Sequence, residues 1–280
     1  GRGAPGRKTR VGMMIPLTEQ LPHQRGFGET TRRDSWWVTP LATFIGLSAF
    51  VVYATWAAFQ GTHYVSGNYL SPFYSPEIFG DSPHSWFGAK PAFWPAFLPF
   101  SPALLILWAP GGFRFTCYYY RGAYYKAFWA DPPACAVGEP RASYCGEQAM
   151  PLILQNVHRY FLYPAVLFVF ILGHDAWKAA WFADASGRET FGIGVGTIVL
   201  TVNVILLAGY TLGCHSMRHL AGGVLDRLSR APVRKRTYIC SSWLNRGHMK
   251  WAWASLFWVA FSDLYVRLLS MGVWTDWRLL

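Results

Sequence analysis

The feature that most narrows what this chain can fold into is a recurrence of apolar runs about 20 residues long, of which Phe191–Leu212 is the cleanest. A run of that length crosses a hydrocarbon core of about 30 Å as a helix. In lipid, only helices and closed barrels satisfy every backbone polar group. The pattern therefore predicts an all-α integral membrane bundle. The formal charge of +11 would suit a nucleic-acid binder, but the Lys and Arg residues lie between the apolar runs. There they set membrane topology, and no nucleic-acid partner is expected. Five cysteines, an odd number without regular spacing, make no disulfide framework.

Five transmembrane helices are expected, over Trp36–Phe59, Ala92–Pro110, Pro151–Trp177, Phe191–Leu212 and Trp251–Met271. Pro95, Pro99 and Pro102 should distort the second, and Pro164 should kink the third. Residues 1–35 read as a basic cytoplasmic arm with no apolar core, ahead of a membrane domain over 36–280. Most of the remaining Lys and Arg fall in two loops, 111–150 and 213–250, whereas 60–91 and 178–190 hold few. The positive-inside rule puts those two loops and the N-terminus in the cytoplasm.

The fourth span runs into Leu212–Gly223, which sets Cys214, His215, Arg218 and His219 where a helix leaves the hydrocarbon. Ionisable and metal-ligating side chains are costly at such a depth and usually face the bundle interior for a purpose. The topology brings Cys117, His158 and His248 to the same level. Two thiolates and two imidazoles suit either a tetrahedral zinc or a Rieske-type [2Fe–2S] centre. On a helix, Cys214 would point about 100° away from His215, so both could serve one cluster only if the helix unwound locally. Other residues read more plainly. Cys145 and Cys240 are apolar fillers, and His63 and His84 belong to the surface. His174 bonds locally to Asp175, and Asp263 pairs with Arg267 four residues on. The run Arg114–Arg121 is an interfacial aromatic belt or a docking surface for a soluble partner.

Five motifs in order resemble one family, the membrane anchor subunit of actinobacterial-type succinate dehydrogenases (succinate:quinone oxidoreductases). They are Phe-Arg-Phe-Thr-Cys-Tyr-Tyr-Tyr-Arg at 113–121, Pro-Pro-Ala-Cys-Ala-Val at 132–137 and Gln-Asn-Val-His-Arg-Tyr-Phe at 155–161. Cys-His-Ser-Met-Arg-His-Leu-Ala-Gly-Gly at 214–223 and Arg-Gly-His-Met-Lys-Trp-Ala-Trp-Ala-Ser at 246–255 complete the set. The resemblance implies a five-helix anchor in the bacterial plasma membrane, among lipid, beneath a flavoprotein subunit and an iron–sulfur subunit. It implies electron delivery from succinate to a quinone, with menaquinone the expected species, while the dehydrogenation itself belongs to a partner. Related anchors hold haem b between helix histidines, but Leu212 stands one heptad before the Arg-His element, where they place one. That departure favours a Rieske-type [2Fe–2S] centre over haem b. The expected ligands are Cys117, Cys214, His158 and His248, with His215 as the substitute, and Arg218 and His219 are expected at the quinone. The haem alternative would use His158 and His215, and a transporter or inert scaffold would need none of these roles.

Overall fold

A computed structural model of the chain describes residues 26–140, 152–183 and 187–280. Cys145, expected to be a filler, lies outside the described residues. Among the described residues, four helices are long and apolar enough to cross a membrane: α1 (Val38–Gln60), α5 (His158–Lys178), α6 (Val195–Leu212) and α9 (His248–Ser270). Large apolar residues on α1, such as Ile45, Val52 and Phe59, are exposed, as expected of a helix whose outer face meets lipid rather than water. α1 stops at Gly61, which adopts a left-handed φ of 61°. A side chain there would also press its Cβ to 2.9 Å from the carbonyl oxygen of Phe100. Only glycine meets both demands.

The second expected span differs from its expectation. Instead of one helix over 92–110 there are turns up to Ser101, then two short helices, α2 (Pro102–Ile106) and α3 (Trp108–Phe115), broken at Leu107. The cause is the prolines. Pro102 starts α2 at its first turn, where no N–H is required. Pro110 has no N–H to give the Ile106 carbonyl, and the ladder lapses one residue later. At about 1.5 Å per residue the 14 residues of Pro102–Phe115 rise about 21 Å, short of a hydrocarbon core. A third short helix, α4 (Tyr118–Tyr124), continues into a π-helical turn at Tyr125–Trp129.

The stretch expected as an inner loop, 213–250, is instead largely helical, as α7 (His215–Gly222) and α8 (Pro232–Asn245). At the opposite end of the bundle lie two small hairpins, β1 (Val65–Ser66) with β2 (Tyr69–Leu70) and β3 (Trp181–Ala183) with β4 (Glu189–Phe191). The C-terminal tail folds back there, Leu279 donating its N–H to Ile193 O at 2.7 Å. α6 is central, packed against both α5 and α9. Gly209 lets α6 and α9 meet closely, since a Cβ there would stand 2.6 Å from the Trp251 ring. Residues 26–34 do not trail free. Gly28 N bonds Gly138 O and Gly138 N bonds Glu29 O, and Arg32 reaches the Cys135 carbonyl, so this stretch is laced to the loop after α4.

The hairpin end is fastened by buried polar groups. Asp263 accepts from Ser71 Oγ and from Tyr53 OH at 2.6 Å, and Arg267 reaches it at 3.3 Å, the pairing the i, i+4 spacing predicted. Arg267 also donates to Thr62 O and lies over the Trp56 ring. Asp276 accepts from Tyr69, Tyr265 and the Gly196 N–H. His174 Nδ1 stands 3.7 Å from Asp175, beyond hydrogen-bond range, and the carboxylate accepts from Ser75 instead.

Candidate functional site: two cysteine–histidine pairs

At the other end, all four residues expected to ligate a metal sit at the start of a helix. Cys117 is the N-cap of α4 and Cys214 the N-cap of α7, both with extended backbone (ψ 128° and 148°). His158 and His248 are the first residues of α5 and α9. The chain breaks at Thr116 and again at Gly213, just before each cysteine. That break is the local unwinding that a continuous helix would have denied. It turns Cys214 inward, 2% exposed, and leaves His215 outside.

The side chains meet as two pairs. His158 Nε2 stands 3.1 Å from Cys214 Sγ, and Cys117 Sγ stands 4.0 Å from His248 Nε2. Cys117, Cys214 and His158 are each no more than 2% exposed, and both thiols are free of disulfides. The Thr116 hydroxyl donates its one proton to Gly112 O at 2.7 Å, so at 3.0 Å from His158 Nδ1 it acts as acceptor. That contact puts the ring proton on Nδ1 and leaves the Nε2 lone pair facing the cysteine, the tautomer a metal ligand requires. Aromatic plates hold both imidazoles. Phe113 stacks on His158 with centroids 4.6 Å apart, and Tyr210 stacks on His248 at 5.2 Å. Two buried polar atoms are left over, His248 Nδ1 and Tyr210 OH, neither with a hydrogen-bond partner. Among the described residues no three His, Cys, Asp or Glu side chains gather around one point to hold a single metal ion. The arrangement is two adjacent pairs rather than one ready tetrahedron.

The other expected site residues lie nearby but engage elsewhere. Arg218 donates to Ser242, Asn245 and Tyr238, which clasps α7 onto α8. Its guanidinium, through the hydrogen bond and its charge, lowers the Tyr238 pKa. His215 and His219 are exposed and face each other, Nε2 to Nε2 at 2.9 Å. Burial, then the neighbouring His219 and Arg218, lower the His215 pKa. His158 and His215, the haem alternative, are thus turned to different partners.

Arg114 is the residue the sequence reading missed. It turns inward instead of forming a docking face, bonding Tyr120 OH at 2.9 Å and Ser255 Oγ at 2.8 Å, with its guanidinium 4.6 Å from the Tyr210 ring centre. A mostly apolar cavity of about 660 Å³ opens beside it, with Phe113, Tyr120, Tyr210, Leu256 and Val259 among its walls. The signal lay in the motif itself, where Arg114 and Thr116 closely precede Cys117 in a segment too polar for lipid.

Comparison with known proteins agrees with this picture. The family model for actinobacterial succinate dehydrogenase subunit SdhC matches residues 38–272. Among solved structures, a chain of the Mycobacterium smegmatis Sdh1 complex in the apo form is 44% identical, with a TM-score of 0.81. The match covers 96% of this chain and 99% of that one. No curated protein matches. The buried cysteine and histidine motifs, the multi-pass helical fold and the family match over 38–272 lead to one conclusion: this chain belongs to the SdhC family, the membrane subunit of actinobacterial succinate dehydrogenase.

Proposed function

We propose that this subunit anchors the flavoprotein and iron–sulfur subunits to the membrane and passes their electrons to a quinone. In this reading Cys117, Cys214, His158 and His248 hold a Rieske-type [2Fe–2S] centre. The observation that carries it is the meeting of these four side chains, drawn from four separate segments, in two pairs, one buried and one partly buried. The donor set fits: two thiols and two imidazoles are the ligands of such a centre, and the unpartnered His248 Nδ1 is a polar atom whose burial is otherwise unexplained. When bound, the group relays single electrons at a potential of about −150 to +300 mV, above the about −400 mV of plant-type all-cysteine centres.

The protein's own part is to hold and neutralise. Cys214 stands at the N-terminus of α7, where the helix dipole favours negative charge such as a thiolate. Arg114 adds a fixed positive charge beside the ligands. Thr116 fixes the His158 tautomer, and the Arg218 clasp fixes the helix that Cys214 begins, so Arg218 is a positioning residue. The quinone ring occupies the apolar cavity, where Arg114 offers a hydrogen bond to a carbonyl that gains charge on reduction. The Tyr210 ring separates it from His248 by a single aromatic plate. The wall residues exclude water from that end. We further propose that Pro102–Phe115, short as it is, makes the fifth crossing, and that the arm at 1–35 and loops 111–150 and 213–250 face the cytoplasm.

The test is electron paramagnetic resonance of the reduced complex beside two assays. Replacing His158 and His248 by Ala should remove a Rieske-like signal and quinone reduction, while succinate oxidation with a soluble artificial acceptor persists. His215→Ala should keep the signal. If H158A and H248A both retained a wild-type signal and full quinone reduction, the assignment would fail.

A further inference from the structure

We propose that α7 carries a second metal site, a bidentate clasp for a divalent transition-metal ion formed by His215 and His219, with Cu(II) preferred to Zn(II). The proposal goes beyond the electron-relay reading, because neither residue belongs to the two cysteine–histidine pairs.

Residues four apart on a helix lie on one face, one turn above the other, and here both rings are exposed and already turned toward each other. Their Nε2 atoms are 2.9 Å apart, the ring centroids 4.4 Å apart and the ring planes at 78°. At that distance one Nε2–H donates to the other Nε2, and a metal ion would take the place of the shared proton once the donor ring carries its proton on Nδ1 instead. The rings already stand at chelating distance, so little side-chain entropy remains to be lost on binding. With metal–nitrogen bonds of about 2.0–2.1 Å, a 2.9 Å separation subtends about 90° at the metal, whereas a tetrahedral angle asks for about 3.3 Å. A right-angled bite suits the tetragonal sites of Cu(II) and Ni(II), and the general order of affinities puts Cu(II) first. The only cation adjacent in sequence, Arg218, is drawn away to Ser242, Asn245 and Tyr238 of α8. Its charge still opposes a metal ion, which favours the ion with the strongest intrinsic bonds to imidazole. Water completes the coordination on the exposed side.

The experiment uses the purified complex with its partner subunits in detergent, oxidised, stripped on a chelating resin and titrated with cupric sulfate. Paramagnetic resonance near liquid-nitrogen temperature should reveal a tetragonal Cu(II) signal with splitting from two nitrogens, saturating at micromolar copper. His219→Gln and His215→Gln should each weaken that binding about tenfold or more, and the double variant should bind about one ion fewer per chain. Zinc should displace the copper only in large excess. Equal uptake by the wild type and the double variant would overturn the site, as would absence of binding below millimolar copper in the assembled complex. Displacement by equimolar zinc would overturn the copper preference.

Discussion

The two ends of this bundle both bury polar side chains, and they do it in opposite ways. At the hairpin end each charge is matched. Asp263 has Arg267, Ser71 and Tyr53, and Asp276 has two tyrosines and a backbone N–H. At the cysteine end Arg114 and Arg218 are well bonded, but around the candidate ligands one contact is as long as 4.0 Å and two buried polar atoms, His248 Nδ1 and Tyr210 OH, have no hydrogen-bond partner. Buried polar groups are costly unless bonded, so the first arrangement reads as a fastening and the second as a site kept for something else. Reserve donors and an adjoining cavity distinguish a functional end from a structural one more clearly than burial does.

The comparison breaks most sharply through substitutions whose effects should be opposite in kind. Arg267→Leu leaves the Asp263 carboxylate buried without its counter-charge, a loss of about 3–5 kcal/mol. It should appear as failed membrane assembly or a large fall in Tm, with any surviving complex still active. His158→Ala and His248→Ala should do the reverse, abolishing quinone reduction while the complex still assembles. An R267L complex of normal stability, or an unfolded H158A, would erase the distinction.

A finer probe is Thr116→Val, which keeps the shape and removes the acceptor at His158 Nδ1. Loss of such an outer partner typically costs about 10–100-fold in metal affinity or activity, so quinone reduction should fall by that order while succinate oxidation with a soluble acceptor stays level. Smaller again is Gly209→Ala, whose methyl group would meet the Trp251 ring. Overpacking of this kind costs about 1–3 kcal/mol, read as a lower Tm, and should also disturb the stacking of Tyr210 on His248.

The smallest expected effect is at the exposed lacing of residues 26–34. The Arg32 hydrogen bond and charge hold the Asp34 pKa below its ordinary value. A depressed carboxylate pKa stabilises the fold above its unfolded-state value, and the contribution disappears as pH falls through the folded one. Asp34→Asn should therefore raise proteolysis of this stretch slightly at neutral pH and not at all in acid.

Much of this was written into the linear order of residues. Apolar length alone placed α1, α6 and α9 to within about four residues of their ends, and α5 at its C-terminal end but seven residues too early at its start, because a lipid-crossing helix must satisfy its own backbone. Depth relative to those helices brought Cys117, His158, Cys214 and His248 to one level, and the i, i+4 spacing paired Asp263 with Arg267. Pattern could not place the breaks. Whether proline would bend the second span or split it depended on which carbonyl lost its donor. Whether Cys214 or His215 turned inward depended on the backbone at Gly213, a choice of a few dihedral angles that neighbouring helices impose. The inward turn of Arg114 was decided the same way. Its partners, Tyr120 aside, come from residues about 100 or more positions away on α6 and α9. Residue type and local period determine which elements form and how deep they sit. Which side chain of an adjacent pair faces the core is settled only when helices distant in sequence close on one another.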